Sequence, residues 1–127
     1  MPIAWQKDVP EEVQAVIRHN NGRDTVDTYR DLQREVAPLT SLRVIRSLAR
    51  KYSKKYHVPI RISASAVEED VPDGEAMFRY HYDNKGRIVG QIFLHPVLQY
   101  YPASYVEGVI LHELDHLEVE RRWSKVL

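Results

Sequence analysis

The stretch Val109-Ile110-Leu111-His112-Glu113-Leu114-Asp115-His116-Leu117 carries two periodicities at once. Val106, Ile110, Leu114 and Leu117 recur at steps of three and four, so the segment is predicted to be a helix with one apolar side turned to a core. His112 and His116 recur at a step of four on another side. With a rise of about 1.5 Å per residue and about 3.6 residues per turn, positions four apart share a face at about 6 Å, so two imidazoles can converge on one ion. Glu113 sits beside that pair, near enough to reach a water on the ion without displacing it. H-E-x-x-H on a helix is the arrangement in which two histidines hold zinc and the glutamate works as general base. Zinc lowers the pKa of its water to near 7, and a carboxylate can take the proton as the oxygen attacks a carbonyl, then return it to the leaving amine. The spacing therefore predicts Zn2+ on His112 and His116, with Glu113 as the catalytic base.

Working outward, Pro102 stands where a helix can begin, because its missing N–H would have had no partner there. The last helix is expected from about Ala103 to the neighbourhood of Trp123. Upstream, Met77, Phe78, Tyr80 and Tyr82 suggest a strand, Asp83-Asn84-Lys85-Gly86 a tight turn, and Arg87 to Leu94 the returning strand of an antiparallel hairpin. Ile60, Ile62 and Ala64 alternate with polar residues as in a further half-buried strand, and the acidic stretch Glu68 to Glu75 reads as a loop. Three helices are expected before these: Glu11 to His19, a second capped by Asp24 and running to about Ala37, and a third opening at Thr40 or Ser41. The third is the most clearly amphipathic, with Leu42, Ile45, Leu48, Ala49, Tyr52 and Tyr56 in one stripe. Helices, then a small three-stranded sheet containing an antiparallel pair, then one long helix make an α+β domain spanning residues 1–127.

Composition limits what such a domain does. With 127 residues, 18 basic and 18 acidic side chains and no cysteine, the chain fits one domain and lacks a net charge that would steer it to a polyanion. Disulfides and thiolate metal sites are excluded, so any metal must be held by His, Asp or Glu. No stretch reaches the roughly 18 apolar residues of a membrane span, and Met1 to Pro10 lacks the apolar run of a secretory signal. A cytoplasmic protein with no membrane partner is expected. The one basic concentration is Arg43, Arg46, Arg50, Lys51, Lys54 and Lys55 on the third helix. Its ordinary meaning is a solvated face, and its functional one a weak association with DNA through phosphates.

From Ile92-Phe93-Leu94-His95-Pro96 through Val109-Ile110-Leu111-His112-Glu113-Leu114-Asp115-His116-Leu117, the sequence resembles the zincin metallopeptidases, most nearly the small SprT-like and YgjP-like proteins. The likeness implies a minimal zincin-like fold that hydrolyses peptide bonds in a peptide or protein substrate through a metal-activated water. It also implies a strand that aligns an extended substrate by β-augmentation, a role expected here for Arg87 to Leu94. Such relatives complete the metal sphere with a third His or Glu downstream, yet only eleven residues follow His116, and Arg122 stands where a YgjP-like third His would fall. Zinc sites used in catalysis normally take three protein ligands and a water. Glu120, one further step of four along the helix, is the first candidate for the third ligand, and His95 at the end of the incoming strand is the second. A partner chain is another source, and so short a chain fits a homo-oligomer. The alternative reading of the whole is a catalytically inactive binding or regulatory module of the same fold. His19 and His57 are expected as helix-end residues, His81 as a hydrogen-bonded structural histidine, and Tyr100, Tyr101 and Tyr105 as packing residues that could instead face an oxyanion.

Overall fold

The structure, a computed structural model, describes residues 9–126, with side chains to Arg122. Three helices come first: α1 (Glu11–His19), α2 (Thr25–Glu35) and α3 (Leu42–Tyr56). They are followed by β1 (Ile60–Ile62), a short α4 (Ala64–Asp70), the hairpin strands β2 (Ala76–Tyr82) and β3 (Ile88–Leu94), a 3-10 turn (Pro96–Tyr100) and the long α5 (Ala103–Val126). The chain is α+β, as its periodicities predict.

Local chemistry sets most of these boundaries. Ser41 caps α3, its hydroxyl accepting from the Val44 amide at 3.2 Å. The hairpin turns at Asp83, whose carboxylate accepts from the Lys85 and Arg87 amides at 2.9 Å each, while Gly86 takes φ +74°. α3 ends on His57, which adopts the left-handed conformation with φ 55°, the only non-glycine among the described residues to do so. A β-carbon there crowds the following carbonyl, so His57→Gly is expected to raise the unfolding free energy by about 0.5–1 kcal/mol after allowing for glycine's looser unfolded chain. The check is an upward shift of the urea midpoint with the slope unchanged.

Two expectations about the sheet need correction. The alternation read from Ile60 to Ser65 stops at Ile62, because the Ser63 hydroxyl accepts from the Ala66 amide at 3.3 Å and starts α4, which also takes Glu68 to Asp70 out of the predicted loop. The strand order is β1-β3-β2, with β1 parallel to β3 and β2 antiparallel to it, so the sheet is mixed. β3 is therefore the central strand, paired on both sides, and Arg87 to Leu94 has no free edge to offer an extended ligand. The edges are β1 and β2.

One face of the sheet carries the main core. Ile92 and Leu94 of β3 are fully buried against Ile45 and Ala49 of α3 and Val106, Ile110, Leu114 and Leu117 of α5. Each of the isoleucine, leucine and valine side chains contributes roughly 1.5–3 kcal/mol by leaving water, and Ala49 less. Gly90 lets α5 approach the strands: a β-carbon there would stand 2.8 Å from Phe78 Cε2 and 2.9 Å from Leu117 Cδ1, closer than packed carbons allow. The Tyr52 hydroxyl of α3 donates to Glu107 of α5 at 2.6 Å, fixing the helix on its other flank. A second cluster of Val13, Val16, Leu32, Val97 and Tyr100 docks the α1–α2 pair onto the 3-10 turn. α5 is thus held in rotation as well as position, and that fixes where its polar residues point.

Candidate metal centre

With Ile110, Leu114 and Leu117 turned inward, the helical phase leaves His112 and His116 exposed and Glu113 half-buried between them and the sheet. The two Nε2 atoms face each other at 3.3 Å, with the rings 4.9 Å apart and nearly perpendicular. Ligand atoms of His112, Glu113 and His116 all lie within 4.8 Å of one another. Two nitrogens each about 2.0–2.1 Å from a tetrahedral ion would be about 3.3–3.4 Å apart, so the imidazole pair already has the bite of such an ion. Burial pushes the Glu113 carboxyl above its ordinary pKa, while the nearby His116 and His112 pull it back down.

Neither residue expected as the third ligand belongs to this group. Glu120 lies near the Tyr80 hydroxyl on β2, and its charge is the main reason that hydroxyl's pKa is raised. His95 is fully buried with both ring nitrogens engaged: Nδ1 accepts from the Val97 amide at 2.9 Å, and Nε2 meets Glu68 Oε1 at 2.8 Å. Its ring also lies edge-on to Tyr29 at 5.2 Å, and burial depresses its pKa against the pull of Glu68. His95 is a structural pin for the turn after β3, and a reason for its placement is visible in sequence only through Val97, two residues on. Among the described residues, the cluster of possible metal ligands is His112, Glu113 and His116.

The other singled-out residues fall apart from the pair. His81 is exposed on β2, and His19 and His57 stand at helix ends. Tyr100 is buried in the second cluster, its pKa raised by burial. Tyr105 donates to Glu75 Oε2 at 2.5 Å, and Tyr101 also bonds Glu75, so these two hydroxyls are committed to a carboxyl rather than open to an oxyanion. Burial drives the Glu75 pKa upward, with the two tyrosines opposing it. Glu75 reads in sequence as a loop residue, and nothing local announces its partners, Tyr101 at the end of the 3-10 turn and Tyr105 in the first turn of α5.

These contacts also lay out the surroundings of the pair. Glu75, just before β2, touches Tyr105 of α5, and Tyr80 near the end of β2 touches Glu120. Helix and edge strand therefore run side by side in the same direction, with residues 112–116 midway between these two ties. β2, an edge strand, therefore flanks the same side of α5 as the motif, whereas β3 lies in the centre of the sheet.

The fold and the site define a class no finer than an α+β domain with a helical His-Glu-His group able to take a metal. Compared with protein-family models, with curated proteins and with solved structures, the chain matches none.

Proposed function

We propose that this protein is a zinc-dependent metallopeptidase in which His112 and His116 hold the ion and Glu113 is the general base. The observation that carries the reading is the 3.3 Å approach of two exposed Nε2 atoms beside a half-buried carboxyl on one helix face. Exposed imidazoles with free approach to solvent gain little from facing each other, whereas the same geometry suits a divalent ion. The ion, when bound, supplies Lewis acidity that brings a water toward ionisation near neutral pH and polarises a carbonyl. Glu113 accepts the proton of the attacking water and delivers it to the nitrogen of the departing amine. Its half-burial next to the sheet favours the protonated form, which makes it a stronger proton acceptor than an exposed glutamate. The resemblance to zincins supports the same assignment, and β2, with its outer edge unpaired, is the strand available to align an extended peptide by main-chain hydrogen bonds.

A second reading, a metal-free binding module, is favoured by one observation: Glu120 and His95, the candidates for completing the sphere, are engaged by Tyr80 and Glu68. Metal analysis separates the two. The full chain, equilibrated with zinc and then desalted, is expected to hold about one zinc per chain by mass spectrometry. His112→Ala is expected to weaken zinc binding by more than the roughly 10- to 100-fold typical of losing a supporting residue outside the coordination sphere, and to abolish hydrolysis of an unstructured protein substrate. Folded chain that neither retains zinc nor cleaves with zinc added would leave the binding module as the function.

A further inference from the structure

The neutral total conceals a strong segregation of charge. Between Glu35 and Glu68 there is no acidic residue, while seven of the eighteen cations fall there: Arg43, Arg46, Arg50, Lys51, Lys54, Lys55 and Arg61. All seven side chains are exposed. Elsewhere several arginines are paired, as Arg18 is with Glu11, Arg30 with Asp27, Arg79 with Asp70 and Arg87 with Asp83. Among the described residues none of the seven has an anionic partner. Lys51 and Lys55 lie over the rings of Tyr52 and Tyr56 at 5.2 and 5.5 Å, on a different side of α3 from the remaining cations.

Those remaining cations form a line. Arg43, Arg46, Arg50 and Lys54 recur at steps of three and four and so share one face of α3, over about 16 Å of helix. The helix alone would make this a solvated ridge. The fold adds a wall, because β1, the edge strand opposite β2, runs beside α3, and two adjoining open depressions that share Ser53, Ile60 and Arg61 form a groove between them. Arg46, Arg50 and Ser53 line it from the helix, His57 stands at its end, and Arg61 closes it from the strand. Arg61 lies outside the basic run seen in the helix sequence, and pairing of β1 with β3 is what brings it opposite Arg46 and Arg50.

We propose that this groove binds the phosphate backbone of a nucleic-acid strand. Like charges held together without counter-charges repel one another, and a ligand carrying several linked anions relieves the whole row at once, which a single small anion does not. Three arginines, Arg46, Arg50 and Arg61, line the groove, and guanidinium forks match phosphate oxygens two at a time. A row of about 16 Å passes several phosphates of one strand, whose charges advance about 3.4 Å each along a duplex axis. A membrane surface fits less well, since the apolar stripe of α3 is spent in the core and leaves no face to insert. The groove lies at the sheet edge away from His112 and His116, so this inference stands independently of the peptidase reading.

Fluorescence anisotropy of the full chain with labelled mixed-sequence single-stranded DNA, duplex DNA and RNA tests it, and the three probes identify the preferred strand. Binding is expected at low salt, with log affinity falling linearly in log salt at a slope of about −3.5 to −4.5 for the four cations of the α3 row together with Arg61. Arg46→Ala/Arg50→Ala/Arg61→Ala should weaken binding at least tenfold and flatten the slope by about 2. The corresponding Arg→Lys triple, which keeps the charge, guards against loss by misfolding and should bind within a few-fold of the natural chain, as should a charge-matched Arg18→Ala/Arg30→Ala/Lys85→Ala variant. Equal weakening by the two alanine triples, absence of binding to all three nucleic acids, or binding confined to phosphatidylserine-containing vesicles would each overturn the proposal.

Discussion

Glu113→Gln is expected to bind zinc as the natural chain does and to lose about 10²- to 10⁴-fold in kcat, the usual worth of a positioned general base. The amide has the carboxylate's size and can occupy the same half-buried place beside the sheet, so the fold and the imidazole pair are left alone. What it cannot do is accept a proton. Loss of rate with zinc stoichiometry intact thus isolates the proton-transfer step from metal binding, whereas His112→Ala removes both together. Zinc content by mass spectrometry and single-turnover cleavage of an unstructured protein substrate are the two readouts. Undiminished cleavage by the glutamine variant would remove Glu113 from the mechanism even if the metal assignment held. Equal loss of zinc and of rate would instead make Glu113 a ligand rather than a base.

How far the sequence could be read follows from the range of the interactions involved. The long helix, the phase of its apolar side and the convergence of His112 with His116 depend on residues three and four apart, and those were legible because helical geometry converts spacing directly into direction. The same holds for the apolar stripe of α3 and for the turn at Asp83. What could not be read depends on partners far along the chain. β1 joins β3 in parallel although α4 and β2 intervene, and alternation within β3 carries no sign of whether one neighbour or two will flank it. The central place of β3, and with it the transfer of the free edge to β2, is therefore a product of topology. His95 shows the contrast within one residue. Its bond to the Val97 amide is local, but the carboxylate that occupies its other nitrogen is Glu68, 27 residues earlier on a helix whose acidic sequence reads as a loop. Glu120 likewise looked like a ligand by spacing alone, and Tyr80 on a neighbouring strand has the competing claim.

Ile110→Ala is expected to cost about 2–5 kcal/mol of stability, while Leu111→Ala next to it should change stability by no more than about 0.5 kcal/mol. Ile110 is fully buried beneath α5 against the sheet, and Leu111 is 40% exposed. Truncating the first removes apolar contacts and leaves a cavity that close-packed neighbours such as Ile92 and Leu114 can only partly fill. A single domain of this size has a net stability of only about 5–15 kcal/mol, so the loss would lower its melting temperature by many degrees or unfold it at 37 °C. Truncating the second merely uncovers solvent. The contrast between adjacent positions measures the rotation of α5 about its own axis, the quantity on which the candidate site depends. If Ile110 faces inward, His112 and His116 must face outward within two turns of the same helix, since about 100° separates successive side chains. Urea unfolding of the two variants reads this without any substrate or metal. A large cost at Leu111 with little at Ile110 would mean that the helix is turned by about 100° about its axis, which swings Glu113 to the side away from the core and removes the half-buried position on which its role as base rests.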